Sequence, residues 1–187
     1  MPDTTWLTDH FLIAMPSMLD PNFSRGVTFV CQHTRDGAMG ILVNRRSDLL
    51  LSDVLAQMKL KTAIDAVARA PVYIGGPVQP ERGFVLHSRG GDWDSSFDIS
   101  DQLSVTTSRD ILAAIAEGQG PANALVALGY AGWTAGQLDQ EILDNAWLTA
   151  KADPALIFGT PCEQRWSAAA RLVGVDPTQL SGYSGHA

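Results

Sequence analysis

Three arginines, Arg25, Arg45 and Arg46, could bind an anion if the fold brings them together. A hairpin that turns midway between them would place Arg45 and Arg46 across from Arg25 at its open end. Guanidinium groups arranged in this way bind carboxylate or phosphate through paired hydrogen bonds. The alternative interpretation is that they are solvated loop charges, some of them paired with neighbouring aspartates.

A glycine-rich turn supplies the second part of the candidate site. Gly75-Gly76-Pro77 precedes Arg82, but the segment lacks the Lys-Ser/Thr of a phosphate-binding loop and no clear helix follows it. Two glycines and a proline are more typical of a sharp turn or a close approach of two backbones. The predicted binding patch combines both segments and comprises Arg25, His33, Asn44, Arg45, Arg46, Gly75, Gly76, Pro77 and Arg82.

Three histidines, His10, His33 and His87, fall on or beside predicted strands. Two of them could in principle form a metal site or provide a general base. The sequence offers no histidine pair at i,i+4 and no carboxylate at ligand spacing, which favours strand histidines bonded to backbone or water. No catalytic residue, metal site or cofactor is therefore predicted.

Cys162 is the candidate reactive thiol. Thr160 and Glu163 have the spacing of a capping box, and Pro161 suits the first position of a helix. A thiol in the first turn of that helix would be favoured as thiolate by the macrodipole. The adjacent negative Glu163 opposes this, and ordinary core packing is the alternative interpretation. Cys31 alternates with apolar residues on a strand and is predicted to be core.

An aromatic group formed by Tyr130, Trp133 and Trp147 has two interpretations. Exposed, these side chains would form a binding platform. Buried, they belong to the core, which is favoured because a small domain with five tryptophans must bury most of them. The nearby carboxylates lack metal-ligand or acid–base spacing and are interpreted as a solvated helix face: Asp139, Glu141 and Asp144.

The composition favours one domain, residues 1–187, in a cytoplasmic protein. At 187 residues and 45% hydrophobic, the chain can bury one sizeable core. Its formal net charge of -7 repels phosphate backbones, so binding to nucleic acid would need a local basic patch. No apolar run approaches the roughly 18 residues of a membrane helix. Two cysteines without C-x-x-C spacing fit a reducing compartment.

The apolar pattern predicts an α+β fold around a mixed, curled sheet. An Asp-Gly pair at 36–37 predicts a tight hairpin between strands at 26–33 and 38–44. Strands and helices then alternate without a regular βαβ repeat. Further strands are predicted at 11–15, 72–74, 83–87, 97–99, 103–107, 124–130, 147–150 and 155–158. Four helices are predicted, at 52–61 with Ser52 as cap, 108–118, 137–145 and 160–173.

Short motifs spread over nearly the whole chain carry a family resemblance. They include FLIAMP at 11–16, DPNF at 20–23, GAMG at 37–40, YIGGPV at 73–78, RGFVLH at 82–87, GYAGW at 129–133, NAWL at 145–148 and RW at 165–166. On these motifs the chain resembles the YqgE/AlgH family. The resemblance implies a single α+β domain whose mainly antiparallel sheet curls into a partial barrel. Arg46 stands where the family usually has proline.

The resemblance implies no reaction, because the family has no established one. Its name-giving member is associated with the regulation of alginate production. Together with the absence of a catalytic pattern, this favours a non-enzymatic binding or regulatory protein with an unidentified protein partner and no membrane association. The alternatives are an enzyme whose site is assembled from distant segments and a transcriptional regulator. Nucleic acid is the less favoured partner and stays open.

Overall fold

The computed structural model describes residues 6–176, which contain ten strands and six α-helices. The strands are β1 (His10–Ala14), β2 (Val27–Thr34), β3 (Gly37–Leu42), β4 (Arg46–Leu50), β5 (Pro71–Ile74), β6 (Val78–Ser88), β7 (Ser96–Asp98), β8 (Leu103–Thr106), β9 (Ala124–Thr134) and β10 (Trp147–Lys151). The helices are α1 (Leu51–Gln57), α2 (Asp65–Ala68), α3 (Arg109–Ala116), α4 (Gln137–Leu143), α5 (Pro154–Gly159) and α6 (Arg165–Leu172). A 3-10 turn, Cys162–Gln164, precedes α6.

The sheet is organised around β9. Its strand order is β10-β1-β2-β3-β9-β6-β8-β7, and β5 joins β9 from the side with β4 on its outer edge. One edge of β9 is shared, because β5 pairs with its first half and β3 with its second half. Every pairing is antiparallel except that of β5 with β9. The sheet curls into a half-barrel, which confirms the predicted α+β fold class.

The strand change at β9 depends on two backbones that nearly touch. A Cβ on Gly75 would lie 2.3 Å from the carbonyl oxygen of Gly129, and one on Gly76 would lie 2.1 Å from the carbonyl carbon of Tyr130. Gly129 itself has a φ of 77°, in the left-handed region that favours glycine. The close backbone approach predicted for the Gly75-Gly76-Pro77 turn is therefore confirmed.

The core lies on both faces of the sheet and beneath α4. One cluster fills the face of the sheet under α5 and α6, with Phe11, Phe29, Ile41, Leu86 and Ile157 fully buried; Cys31 belongs to it, as predicted. A second cluster packs α1 and α3 against the other face. The third surrounds Trp133 and Trp147, both of which are buried, as the core interpretation predicted.

The hairpin of β2 and β3 forms with the predicted turn. Thr34 pairs with Gly37 next to the turn, and Thr28 pairs with Leu42 towards the open end. Segments with weaker sequence patterns differ from prediction. The strand β4 and the helix α2 were not predicted. The first helix begins after Leu50 rather than at Ser52, and the backbone N–H of Leu50 donates to Asp53 Oδ2 at 2.8 Å.

Two predictions near the C-terminus are wrong. Residues 155–158 form part of α5 instead of a strand, because Asp153 caps that helix by accepting from Ala155 N at 3.0 Å and proline follows at the first position. The last helix does not start at Pro161. That residue has an extended ψ of 141°, and α6 begins only at Arg165. Cys162 therefore lies in a 3-10 turn, without the α-helical first turn on which the macrodipole argument depended.

Glu141 joins α4 to the sheet, so the interpretation of this residue as part of a solvated helix face is wrong. Its Oε1 accepts from the indole N–H of Trp133 at 3.0 Å and from that of Trp147 at 2.9 Å. Its Oε2 accepts from Gln137 Nε2 at 3.0 Å. One carboxylate thus satisfies two largely buried indole donors that come from β9 and β10.

Replacing Glu141 by alanine should lower the free energy of unfolding by about 2–4 kcal/mol, because two indole N–H groups lose their acceptor. Glu141→Gln keeps one acceptor oxygen and should cost about 1 kcal/mol. Chemical denaturation measures both. Asp144→Ala, an exposed carboxylate at the end of the same helix, is the matched control and should cost less than about 0.5 kcal/mol. Equal losses in the Glu141→Ala and Asp144→Ala variants would contradict the role given to Glu141.

Candidate functional site

The open end of the β2–β3 hairpin faces the start of α6 across a cleft of about 270 Å³. We call it the arginine cleft. It is lined by Ser24, Arg25, Asn44, Arg45, Arg46, Cys162, Glu163, Trp166 and Ser167. The structure thus brings together four residues of the predicted patch and the candidate thiol, which is more than a hundred residues away in sequence.

Backbone contacts hold the hairpin end of the arginine cleft in shape. Asn44 Oδ1 accepts from Val27 N at 2.9 Å and its Nδ2 donates to the carbonyl of Arg25, also at 2.9 Å. The side chain therefore continues the ladder beyond the last strand pair. Arg45 Nη2 donates to the carbonyl of Ser24 at 2.8 Å. Asn44 and Arg45 position this segment as well as lining the cleft.

The positive charge of the arginine cleft is local. The Arg25 guanidinium carbon lies 4.8 Å from the ring centroid of Trp166, a cation–π contact that orients it. Arg46 begins β4 and its side chain is exposed. Among the described residues that line the cleft, three are arginines and one, Glu163, is acidic. The chain as a whole has a net charge of -7.

The remaining residues of the predicted patch lie outside the arginine cleft. Gly75 is engaged through its backbone, donating to Leu128 O and accepting from Leu42 N, each at 2.8 Å. Pro77 is exposed in the turn that follows. The Arg82 guanidinium carbon lies 5.5 Å from the ring centroid of Phe84.

His33 lies at the opposite end of the hairpin, next to the turn. It is buried, and its Nδ1 accepts from Leu7 N at 3.0 Å. Its Nε2 is 3.4 Å from Asp139 Oδ1, outside hydrogen-bond geometry. The structure therefore separates His33 from the three arginines of the arginine cleft.

His87 lies on β6, is fully buried and belongs to a row of polar groups in contact with one another. Its Nδ1 is 2.8 Å from the Ser88 carbonyl and its Nε2 is 2.7 Å from Thr106 Oγ1, which lies 2.9 Å from Ser96 Oγ. Burial lowers the pKa of His87 below its ordinary value of 6.5, although the Ser88 carbonyl and the charge of Asp98 oppose the shift. His87 is thus a strand histidine bonded to a backbone carbonyl, as interpreted from the sequence, and it also contacts a threonine hydroxyl, which was not predicted.

Arg165 is the functional candidate that the sequence analysis missed. It is only 6% exposed, its Nε donates to Thr160 O at 2.9 Å, and its Nη1 donates to Val43 O. Its guanidinium carbon lies 5.2 Å from the ring centroid of Tyr73. The sequence contained a signal, because Arg165 stands four residues before Ala169 and therefore falls on the apolar face of the last helix.

The described residues contain neither of two other classes of feature, a metal cluster and a membrane-spanning helix. Among residues 6–176, no group of three or more His, Cys, Asp or Glu side chains is placed to hold a metal ion. Within the same residues, no helix has the length and apolar character needed to cross a membrane.

Comparison with known proteins identifies the family of the chain. The family model described as AlgH-like matches residues 11–178. The chain belongs to the AlgH-like family. A UPF0301 protein of Nitrosococcus oceani is 50% identical over 100% of both chains, and one of Stenotrophomonas maltophilia is 54% identical over the same shares. These names state no molecular function.

Solved structures confirm the fold of this AlgH-like chain. The solution structure of the AlgH protein from Pseudomonas aeruginosa is similar with a TM-score of 0.81 and 49% identity, over 100% of this chain and 99% of that one. The crystal structure of the Corynebacterium diphtheriae protein DIP2367 gives a TM-score of 0.74 at 24% identity, over 98% and 94% of the two chains. The second match concerns the fold alone.

The AlgH-like chain should lose stability as acid protonates His87. Because the pKa of His87 is lower in the folded state, its contribution is fully present above pH 6.5 and is lost as pH falls towards the folded value. Denaturation of the wild type and of His87→Asn at about pH 7.5 and about pH 5 measures this linkage. The variant should lose less stability than the wild type between these two pH values. An unchanged acid loss in His87→Asn would contradict the assignment.

The two cysteines of the AlgH-like chain should differ in reactivity. Both thiols are buried in the same core cluster, but Cys162 also lines the arginine cleft, whereas burial raises the pKa of the Cys31 thiol far above its ordinary value. Limited alkylation of the folded protein followed by peptide mass spectrometry should label Cys162 at least about tenfold faster. Equal labelling in the native protein would contradict this, and labelling in denaturant, where both must react, is the control.

Proposed function

We propose that this AlgH-like protein is a cytoplasmic binding protein with a regulatory role, and that its arginine cleft receives an anionic group of a partner protein. The observation that carries the proposal is the convergence of Arg25, Arg45 and Arg46 on one cleft in an otherwise acidic chain. The family match over residues 11–178 supports treating residues 1–187 as one functional domain.

The geometry of the cleft favours recognition of a carboxylate or phosphate group on a side chain. Two of its arginines are already ordered, Arg25 over Trp166 and Arg45 on Ser24, so less side-chain entropy is lost when an anion binds. A volume of about 270 Å³ is smaller than a typical site for a drug-sized ligand and suits one inserted side chain.

A protein partner is favoured over nucleic acid on electrostatic grounds. A DNA-binding surface must neutralise many phosphates, and the net charge of -7 opposes this outside the cleft. Transcriptional regulation through direct DNA contact is therefore the weaker alternative. It predicts binding that falls steeply between low and moderate salt.

An enzymatic role is the second candidate, and one observation favours it. Cys162 lines the same cleft as the three arginines, so a bound anion could meet a thiol there. Under this alternative, Cys162→Ser would abolish turnover of the captured ligand and leave its affinity within about twofold. Under the binding proposal, the bound ligand is recovered chemically unchanged from the wild type.

Charge reversal at the cleft tests the proposal. Arg25→Glu with Arg46→Glu leaves Arg45 on Ser24, and should reduce partner capture at least about tenfold after mild crosslinking in lysate of the native host. The matched control is Arg35→Glu, an exposed arginine at the hairpin turn, which should capture partner like the wild type. Circular dichroism checks that all the variants fold.

The outcomes separate the alternatives. Loss of a protein partner only in the cleft variant, in nuclease-treated lysate, supports the proposal. Equal capture by the cleft variant and the wild type would refute it. Loss of all capture on nuclease treatment would favour the nucleic-acid alternative instead.

A further inference from the structure

A second cavity lies at the end of the sheet where β5 and β9 begin. It has a volume of about 470 Å³, within the range of small-molecule sites, and it is separate from the arginine cleft. Its walls come from α2 and α3 on one side and from α5 on the other. They are mainly apolar and include Val67, Pro71, Ile115, Val126, Ile157 and Phe158. We call it the Arg165 cavity.

Arg165 brings a buried positive charge to this cavity. Its Nε and Nη1 are used by the carbonyls of Thr160 and Val43, while Nη2 has no hydrogen-bond acceptor within residues 6–176. Tyr73 lines the cavity beside it, and the Tyr73 hydroxyl also makes no hydrogen bond to the described part of the chain. Neither group is among the fully enclosed polar atoms that lack a partner within residues 6–176, so both are open to the cavity rather than sealed in the core.

The charge of Arg165 is not balanced by a carboxylate of residues 6–176. Among the described residues, no carboxylate lies within 4.0 Å of its guanidinium group; the four ion pairs found there involve other side chains. Carbonyl dipoles and the ring of Tyr73 solvate the cation without neutralising it. A buried cation without a counter-charge is costly, and an anion that enters the cavity would offset that cost.

We propose that the Arg165 cavity binds a small amphipathic monocarboxylate, with its carboxylate on Arg165 and its apolar body against the cavity walls. One oxygen would accept from Arg165 Nη2, and the hydroxyl of Tyr73 can donate to the same group. A carboxylate is favoured over a phosphate monoester because one buried guanidinium balances a single negative charge, whereas a phosphate monoester carries nearly two.

This site does not depend on the proposed partner binding. Arg25, Arg45 and Arg46 do not line the Arg165 cavity, and Arg165 does not line the arginine cleft. A ligand here would still bind to a protein whose arginine cleft carries reversed charges. The two proposals can therefore fail separately.

Titration with octanoate tests the inference. Isotope-labelled full-length protein is followed by two-dimensional amide NMR up to roughly 10 mM ligand, where even a millimolar Kd is measurable. We expect saturable shifts at amides of the cavity walls, such as Val67 and Ile157, and none at the β2–β3 turn around Asp36. Acetate, octanol, octylammonium and octyl phosphate are titrated in parallel. Octanoate should bind at least about tenfold more tightly than each of these probes.

Variants connect the shifts to the cavity. Arg165→Gln should weaken octanoate binding about 10- to 100-fold, since one charged hydrogen bond is lost. Arg171→Gln, an exposed arginine on the same helix, is the control and should bind like the wild type. Ala66→Phe adds bulk at the exposed rim of the cavity without changing Arg165, so it tests the site even if Arg165→Gln does not fold.

Each outcome decides the inference. Selective binding of octanoate that Ala66→Phe blocks supports it. Absence of saturable shifts, or octanol binding as tightly as octanoate, would overturn recognition of an anion. Tighter binding of octyl phosphate would overturn the choice of a carboxylate, and unchanged octanoate binding in Ala66→Phe would overturn the location.

Discussion

The contact of two backbones at Gly75 and Gly129 is the constraint on which the rest of the structure depends. Any side chain at Gly75 would place a Cβ 2.3 Å from Gly129 O. Because neither glycine has a side chain, the pairing of β5 with β9 can end at this contact, and β3 can pair with the same edge of β9 beyond it. This exchange curls the sheet into a half-barrel. It also positions Tyr73 beneath Arg165 and the hairpin end beside α6.

The parts of the fold that the sequence predicted are those with strong local signals. Asp36-Gly37 specifies the hairpin turn, and the apolar run of β9 marks a central strand. By contrast, β4 reads Arg-Ser-Asp-Leu-Leu and lacks the β-branched and aromatic residues typical of strands. The apolar residues of α5 match a strand as well as a short helix, and only the cap at Asp153 decides between them.

Only the part of the candidate site that follows from the register of the β2–β3 hairpin could be predicted from the sequence. Register across the hairpin places Arg25 near Arg45, and it also excludes His33 from that end, because eight residues of strand span about 25 Å. Strand register could not predict that Cys162 and Trp166 lie at the hairpin. They are more than a hundred residues away in sequence and come there through the tertiary packing of α6. Arg165 was overlooked for a similar reason. Its burial depends on carbonyls of Val43 and Thr160, which the apolar pattern of one helix does not indicate.

The shared carboxylate of Glu141 has an optical consequence. It fixes the indoles of Trp133 and Trp147 with their ring centroids 6.4 Å apart and their planes at 76°. Transition dipoles held this close and this obliquely couple to one another, so the pair contributes to the ultraviolet circular dichroism in a way that neither indole would alone. The folded chain thus contains an intrinsic chromophore pair whose signal depends on the docking of α4 against β9 and β10.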